Sequence, residues 1–326
     1  MKKGLPLVAL LAGVLLTGCS VSAPSAAPPP SPVPPRPVGV VEGPGAVPSP
    51  VAPGAVPQCD PRASLRPDGA LPAPGAMPSG TTMRKIQDRG RLIVGVDQNA
   101  FLFGYRNPAT GQLEGFDIEM LRAVAQAILG NPDAITYKVI TQAQRIPVVK
   151  SGEVDIVADT MTITCGRLQD VNFTTVYYED GQQVMVLKGS GIKGPDDLGG
   201  RRACASKGTT SIAEFQKLPG KPVTVAVDNW TDCLVMLQQG QVDAISTDAG
   251  ILAGLVAQDP NTEIVGRAFT EEPHGMAIAK ENTDLVRFVN AVLEKTKANG
   301  EWAASYRRWL EPRMGPQAPP PAKYLP

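Results

Sequence analysis

The stretch TMTITCGR, residues 160–167, alternates Thr160, Thr162 and Thr164 with Met161, Ile163 and Cys165 and ends in Arg167. Alternation of this kind is the pattern of a half-buried strand. The arginine adds chemistry: a guanidinium is a planar fork of donors matched to a carboxylate, and neighbouring hydroxyls can donate to the same anion. A second anion-binding candidate is SKGTTS, residues 206–211, where a helix start offers free backbone N–H groups. Acidic candidates are Asp248, ending QVDAISTD, and Asp97, ending RLIVGVD, with Asp159 beside Thr160. Taken singly, each has a structural alternative: Arg167 as a surface ion pair, Asp248 and GTTS as helix caps. His274 is the only histidine, and no motif pairs it with a nucleophile. Neither a CxxC nor metal-type spacing occurs, so a zinc site, a redox motif and a cofactor are not expected.

Strand and helix signals alternate along the chain that must position these groups. GRLIVGVD (90–97) reads as a strand. GFDIEMLRAVAQAIL (115–129) reads as a helix with Ile118, Leu121, Val124 and Ile128 on one face, and with Asp117 able to cap its start. ITYKVI, VDIVAD, QQVMVLKG, RRACAS, VTVAVD and VDAISTD read as strands, with helices near 143–150, 210–217 and 231–239. DLVRFVNAVLEKTKANG places Leu285, Phe288, Val289, Val292 and Leu293 at helical spacing, and a last helix runs through Trp302, Tyr306 and Trp309. Such alternation predicts an α/β fold with mainly parallel sheets. One internal echo stands out. KSGEVDIVADT (150–160) and QQGQVDAISTD (238–248) share a helix end, a glycine, Val-Asp, an apolar residue and then small or acidic residues. The echo predicts two similar lobes, each presenting the C-terminal end of a strand to a common cleft, where open α/β sheets bind small ligands. Asp155 and Asp243, in the two Val-Asp pairs, read as structural.

The rest of the chain sets the context. Its 326 residues hold 31 basic and 31 acidic side chains and few aromatics, which argues against nucleic acid or an electrostatically held membrane surface. Lys2 and Lys3 precede an apolar run from Leu5 to Leu16 that is too short to span a bilayer comfortably, then Thr17-Gly18-Cys19. This resembles a bacterial lipobox: residues 1–18 would be a signal peptide and Cys19 the lipidated N-terminus, tethered by acyl chains. Residues 19–83, with APPPSPVPPRP, read as a disordered proline- and alanine-rich linker, and 313–326 as a similar tail. Four cysteines remain in an exported chain, which suggests two disulfides. Cys204–Cys233 lie in the same half of the domain and are favoured, leaving Cys59–Cys165, although three pairings are possible on paper.

GFDIEMLRAVA, SGEVDIVADTMTITCGR followed by VNFTTVYYEDG, SKGTTS, GQVDAISTDAGIL and HGMAIAKENTDLVRFVNAVLEKTKANGEWAASYRRWL together resemble the polar-amino-acid solute-binding proteins of bacterial ABC importers. The resemblance covers about residues 84–312 in order, and lipobox plus linker resemble the actinobacterial glutamate/glutamine-binding lipoproteins. It implies a two-lobed, type II periplasmic-binding-protein-like fold: lobe 1 from 84–181 and 272–312, lobe 2 from 182–271, with crossings near 177–182 and 271–275. It implies an α-carboxylate held by Arg167, Thr162, Thr209 and Thr210, and an ammonium held by Asp248 and the Thr160 carbonyl. Phe103 would pack beside the ligand. Arg145 stands where binders of acidic amino acids carry an arginine for the side chain, and Asp97 where amide binders carry an aspartate. Where relatives often read TPER, this chain has Thr164-Cys165-Gly166-Arg167. The expected ligand is glutamate or aspartate, with asparagine and glutamine accepted. The expected partner is an ABC permease, and the expected form is a monomer lipid-anchored to the outer face of the membrane. Two alternatives are a sensor signalling to a membrane partner and a dehydratase on the same fold.

Overall fold

A computed structural model describes residues 35–47 and 58–326. The expected signal peptide, the lipidation candidate Cys19 and residues 20–34 and 48–57 of the expected linker lie outside the described residues.

The body Arg36–Pro326 is one compact unit. It opens with β1 (Val41–Glu42), β2 (Ala63–Ser64) and α1 (Thr82–Arg89), whose Thr81 cap accepts from the Arg84 N–H. After β3 (Leu92–Val96) a small sheet of β4 (Asn99–Ala100), β5 (Gly104–Arg106) and β6 (Leu113–Glu114) leads into α2 (Phe116–Leu129). Next come β7 (Ile135–Val139), α3 (Arg145–Lys150), β8 (Ile156–Val157), α4 (Arg167–Asp170), β9 (Asn172–Phe173) and β10 (Tyr178–Asp180). The second half runs through β11 (Gln182–Leu187), β12 (Arg202–Ser206), α5 (Thr210–Phe215), β13 (Val223–Val227), α6 (Trp230–Gln238), β14 (Ala244–Asp248), α7 (Ala249–Val256) and β15 (Thr262–Val265). The chain then returns through β16 (Glu272–His274), β17 (Ala277–Ile278), α8 (Thr283–Ala298) and α9 (Glu301–Trp309) to β18 (Lys323–Tyr324).

Two sheets carry the architecture. The first has the order β7-β3-β8-β17-β9, the second β1-β13-β12-β14-β11-β15. They share a plan: β3 pairs in parallel with β7 and β8, and β12 in parallel with β13 and β14. The echoed strands β8 and β14 therefore hold equivalent places. So do the two aspartates of the Val-Asp pairs: Asp155 accepts from the Ile93 N–H and Asp243 from the Arg202 N–H, each at 2.8 Å. Beyond this parallel centre both sheets are mixed, because β17 and β11 enter antiparallel beside β8 and β14. Strands arriving from the other lobe have no crossover helix behind them, so nothing obliges them to be parallel. The two crossing segments pair with each other, β10 against β16, with Tyr178 opposite His274 and Asp180 opposite Glu272.

Apolar periodicity places the helices as expected. Ile118, Leu121, Val124 and Ile128 of α2, and Leu285, Val289 and Leu293 of α8, are buried against the first sheet's core. Asp117, however, does not cap α2. Gly115 is the cap residue, and Asp117 turns inward to accept from the Thr160 N–H at 3.0 Å and the Tyr177 hydroxyl at 2.7 Å. Nor is TMTITCGR the end of a regular strand. Beyond β8 it makes a single bridge, Thr162 to His274, and Thr160 is left-handed at φ 43°, which turns the chain out of the sheet.

The expected linker and tail are also corrected. Residues 58–83 pack on lobe 1: β2 pairs with β18, the Ser64 hydroxyl donates to the Phe173 carbonyl, and Asn290 donates to both Ser64 and the Leu65 carbonyl. Tyr324 donates to Glu294, and Lys297 donates to the Pro320 carbonyl. Ordering a proline-rich segment costs less than its composition suggests, since its unfolded chain is already restricted. Residues 36–46 reach the other lobe, where β1 extends the second sheet and Glu42 pairs with Arg202. Both expected disulfides form, Cys59–Cys165 and Cys204–Cys233. The first ties the N-terminal segment to the loop just before Arg167.

Candidate functional site

The cleft between the two sheets is closed by polar contacts from both lobes. Arg145 and Arg167 of the first lobe donate to one acceptor, the Gly208 carbonyl of the second, at 3.1 and 3.0 Å. The Ser206 hydroxyl donates to the Gln142 side chain at 2.8 Å, and Asn99 donates to Asn229 at 3.2 Å. Behind these contacts lies a small polar cavity of about 10 Å³, room for about one water molecule with the lobes shut.

Seven of the nine residues expected at a ligand line this one cavity: Arg145, Thr160, Thr162, Arg167, Thr209, Thr210 and Asp248. Two do not. Asp97 is buried with both oxygens engaged, by Gln142 at 2.8 Å and the Asn99 N–H at 2.8 Å. Phe103 is buried among Phe116, Tyr178 and His274. The cavity also takes in Ser211, Trp230, Thr247 and Ile251, which sequence reasoning missed. Ser211 and Thr247 lie within motifs already singled out, SKGTTS and QVDAISTD, and their hydroxyls meet at 3.2 Å. Trp230 follows the C-terminal end of β13, so the strand-end rule that selected Asp248 applied to it equally.

The cations are held differently. Arg145 is buried and donates to the carbonyls of Gln142, Asp159 and Gly208. Burial lowers its pKa, against the pull of Asp159, Asp248 and Asp97. Asp159 is driven well above the usual carboxylate range by burial, with Arg145 opposing and Asp97 and Asp117 adding to the rise. Arg167, at the start of α4, donates to the Thr162 carbonyl at 2.6 Å as well as to Gly208. Burial and the neighbouring Arg145 bring its pKa down to about 9, which leaves it cationic at neutral pH.

The acidic side is built on Asp248, which ends β14 and precedes α7 without capping it. Its carboxylate meets His274 Nε2 at 2.7 Å instead. Burial alone would lower the pKa of His274, yet the bond and charge of Asp248, with Asp180 and Asp117, carry it above its ordinary value. Asp180 is raised to about 6 by burial and the charge of Asp248, against the N–H groups of Gly250 and Gly181. Glu272 is raised for the same two reasons, while hydrogen bonds from Thr162 and Thr270 oppose the rise. It also accepts from the Thr210 hydroxyl at 3.1 Å, so one hinge carboxylate touches both lobes. Among the described residues no group of three histidines, cysteines or acids is placed to hold a metal.

Two α/β lobes joined by a paired double crossing, with a small polar cavity at their strand ends, define a type II two-lobed binding protein. Residues 92–312 match the family of bacterial extracellular solute-binding proteins, family 3, and the chain belongs to it. It is a solute-binding protein and not an enzyme. It is 36% identical over 231 residues to the ABC transporter glutamine-binding protein GlnH of Bacillus subtilis, covering 71% of this chain and 85% of that one. It is 30% identical over 241 residues to the glutamate-binding protein GluB of Corynebacterium efficiens, covering 70% and 80%. Among solved structures, the solute receptor for L-cysteine of Neisseria gonorrhoeae superposes with a TM-score of 0.68 at 29% identity, covering 72% of this chain and 96% of that one. Family members are extracellular, and among the described residues no helix is long and apolar enough to cross a membrane.

Proposed function

We propose that the chain binds a polar amino acid, glutamate or aspartate first and their amides as well, and delivers it to an ABC permease by closure of the two lobes. One observation carries this reading: two guanidinium groups, Arg145 and Arg167, and the carboxylate of Asp248 line a single small cavity between the lobes. A zwitterion brings one carboxylate and one ammonium, and each must find a charged partner when it leaves water. Arg167 and Thr162 receive the α-carboxylate with the Thr210 N–H, and Asp248 receives the ammonium with the Thr160 carbonyl. Thr160 is left-handed, and its N–H is held by Asp117. The second guanidinium, Arg145, favours a ligand with a second carboxylate. The names of the glutamine- and glutamate-binding relatives support the same ligand class.

Closure is driven by contacts made in the closed form alone, those of Thr210 and Asp248 with what lobe 1 has captured and of the Gly208 carbonyl with Arg145 and Arg167. Isothermal calorimetry of the mature chain against all twenty amino acids tests the reading. Heat for glutamate, aspartate or their amides supports it, and heat for apolar or basic amino acids alone overturns it. The lipobox places the protein on the outer face of the membrane through acylated Cys19. Mass spectrometry of the mature chain should find that modification, and an unmodified N-terminus would contradict it. Sensing is a second reading, favoured by the N-terminal segment touching both lobes, through β1 and through Cys59.

A further inference from the structure

The chain has three tryptophans, and two have indole partners. Trp302 Nε1 donates to the Tyr177 carbonyl at 2.7 Å, and Trp309 Nε1 donates to Glu119 at 2.8 Å. Trp230 differs. Its side chain is 1% exposed, and no protein atom accepts from its Nε1. An indole N–H shut away without an acceptor costs about 1–3 kcal/mol, and folded proteins seldom leave one so. Trp230 is among the residues that line the proposed ligand cavity, with Arg145, Thr209 and Asp248. Its position is held firmly, since Asn229 caps α6 reciprocally with Asp232 and accepts from Asn99 across the cleft.

Resting on the amino-acid reading above, we propose that the Trp230 indole N–H is a selectivity donor, hydrogen-bonding an acceptor oxygen at the end of the ligand's side chain. The indole can donate and cannot accept. A side-chain carboxylate or carboxamide supplies the oxygen it needs. An aliphatic side chain of similar length leaves the donor buried and unpaired, and an ammonium or guanidinium brings only further donors. Sites built to hydrogen-bond a ligand group reject the analogue lacking it far more strongly than a pocket rejects one missing methylene. Arg145 favours a carboxylate over an amide. The neutral indole serves both, which accounts for a site open to the amides.

The test is calorimetry on the mature protein, wild type and Trp230→Phe, with L-glutamine, L-glutamate and the aliphatic L-norleucine, the last followed by its displacement of glutamine. It is paired with the indole N–H resonances of the ¹⁵N-labelled wild type. The substitution is expected to weaken glutamine and glutamate by about five- to a hundredfold and to leave norleucine within about twofold. On adding glutamine, the resonance absent from Trp230→Phe should move downfield while the other two stay. Equal losses for all three ligands, unchanged affinities, or glutamine binding without that shift would each overturn the proposal. Should the variant not fold, the wild-type resonance decides alone. Absence of any glutamine heat in the wild type is a separate outcome, and sinks the amino-acid reading itself.

Discussion

Arg167 and Arg145 both line the cavity, yet the protein holds them in different ways. Arg167 is only partly buried and donates to two carbonyls, so its loss leaves groups that water can reach. Arg167→Ala should therefore weaken glutamate at least about a hundredfold, the scale of losing a desolvated charge partner, with little change in melting temperature. Arg145 sits among Asp97, Asp159 and the more distant Asp117, all buried. Removing it strands those carboxyls, and breaking such a buried arrangement costs about 3–5 kcal/mol. Arg145→Ala should lower the melting temperature by roughly 6 °C or more and cost acidic ligands more than amides. Thermal melts beside calorimetry check both. An unchanged Arg145→Ala melt would remove the buried-network argument, and equal ligand losses would remove its part in selectivity. Most of these side chains were legible from residue type and neighbourhood. His274 and Glu272 were not, because their partners Asp248, Thr162 and Thr210 lie far away in sequence.

At the level of elements, closure depends on backbones that approach closely. Gly208 is left-handed at φ 75°, and a Cβ there would stand 2.7 Å from the Cα of Ala143 in the facing lobe. On α7, a Cβ on Gly254 would stand 2.4 Å from the Phe101 carbonyl, again across the cleft. Such distances leave no room for a methyl group while the lobes are shut. Gly208→Ala should raise the dissociation constant about tenfold or more, since the clash exists only in the closed form, whereas the φ strain of about 1–2 kcal/mol falls on open and closed forms alike. Calorimetry against a thermal melt separates the two, and an unaltered affinity would show that the loop does not close on Ala143. Helix and strand identities followed from the 3.6- and two-residue periods. TMTITCGR misled because alternation reports which side chains are buried, not whether the backbone stays in the sheet. One left-handed threonine, held by Asp117, takes it out.

The whole molecule is two copies of one plan, a parallel three-stranded centre whose last strand ends at the cleft, and the repeated Val-Asp stretches made that plan readable. The attachment of the flanking segments was not readable. Proline-rich composition predicts what a segment does alone, whereas residues 58–83 and the C-terminal tail are ordered by lobe 1 surfaces that lie elsewhere in the chain. The N-terminal segment thus bears on the site itself, through Cys165 two residues before Arg167 and through Lys207, which pairs with Asp228 and donates to the Gly39 carbonyl next to the Gly208 loop. The central claim is that an amino acid lies between the lobes with its charges divided between Arg167 and Asp248. A crystal structure of the protein grown with L-glutamate tests this most directly. It should show the α-carboxylate on the Arg167 guanidinium and the ammonium on Asp248, whereas glutamate bound outside this cavity, or with its two ends exchanged, would contradict it.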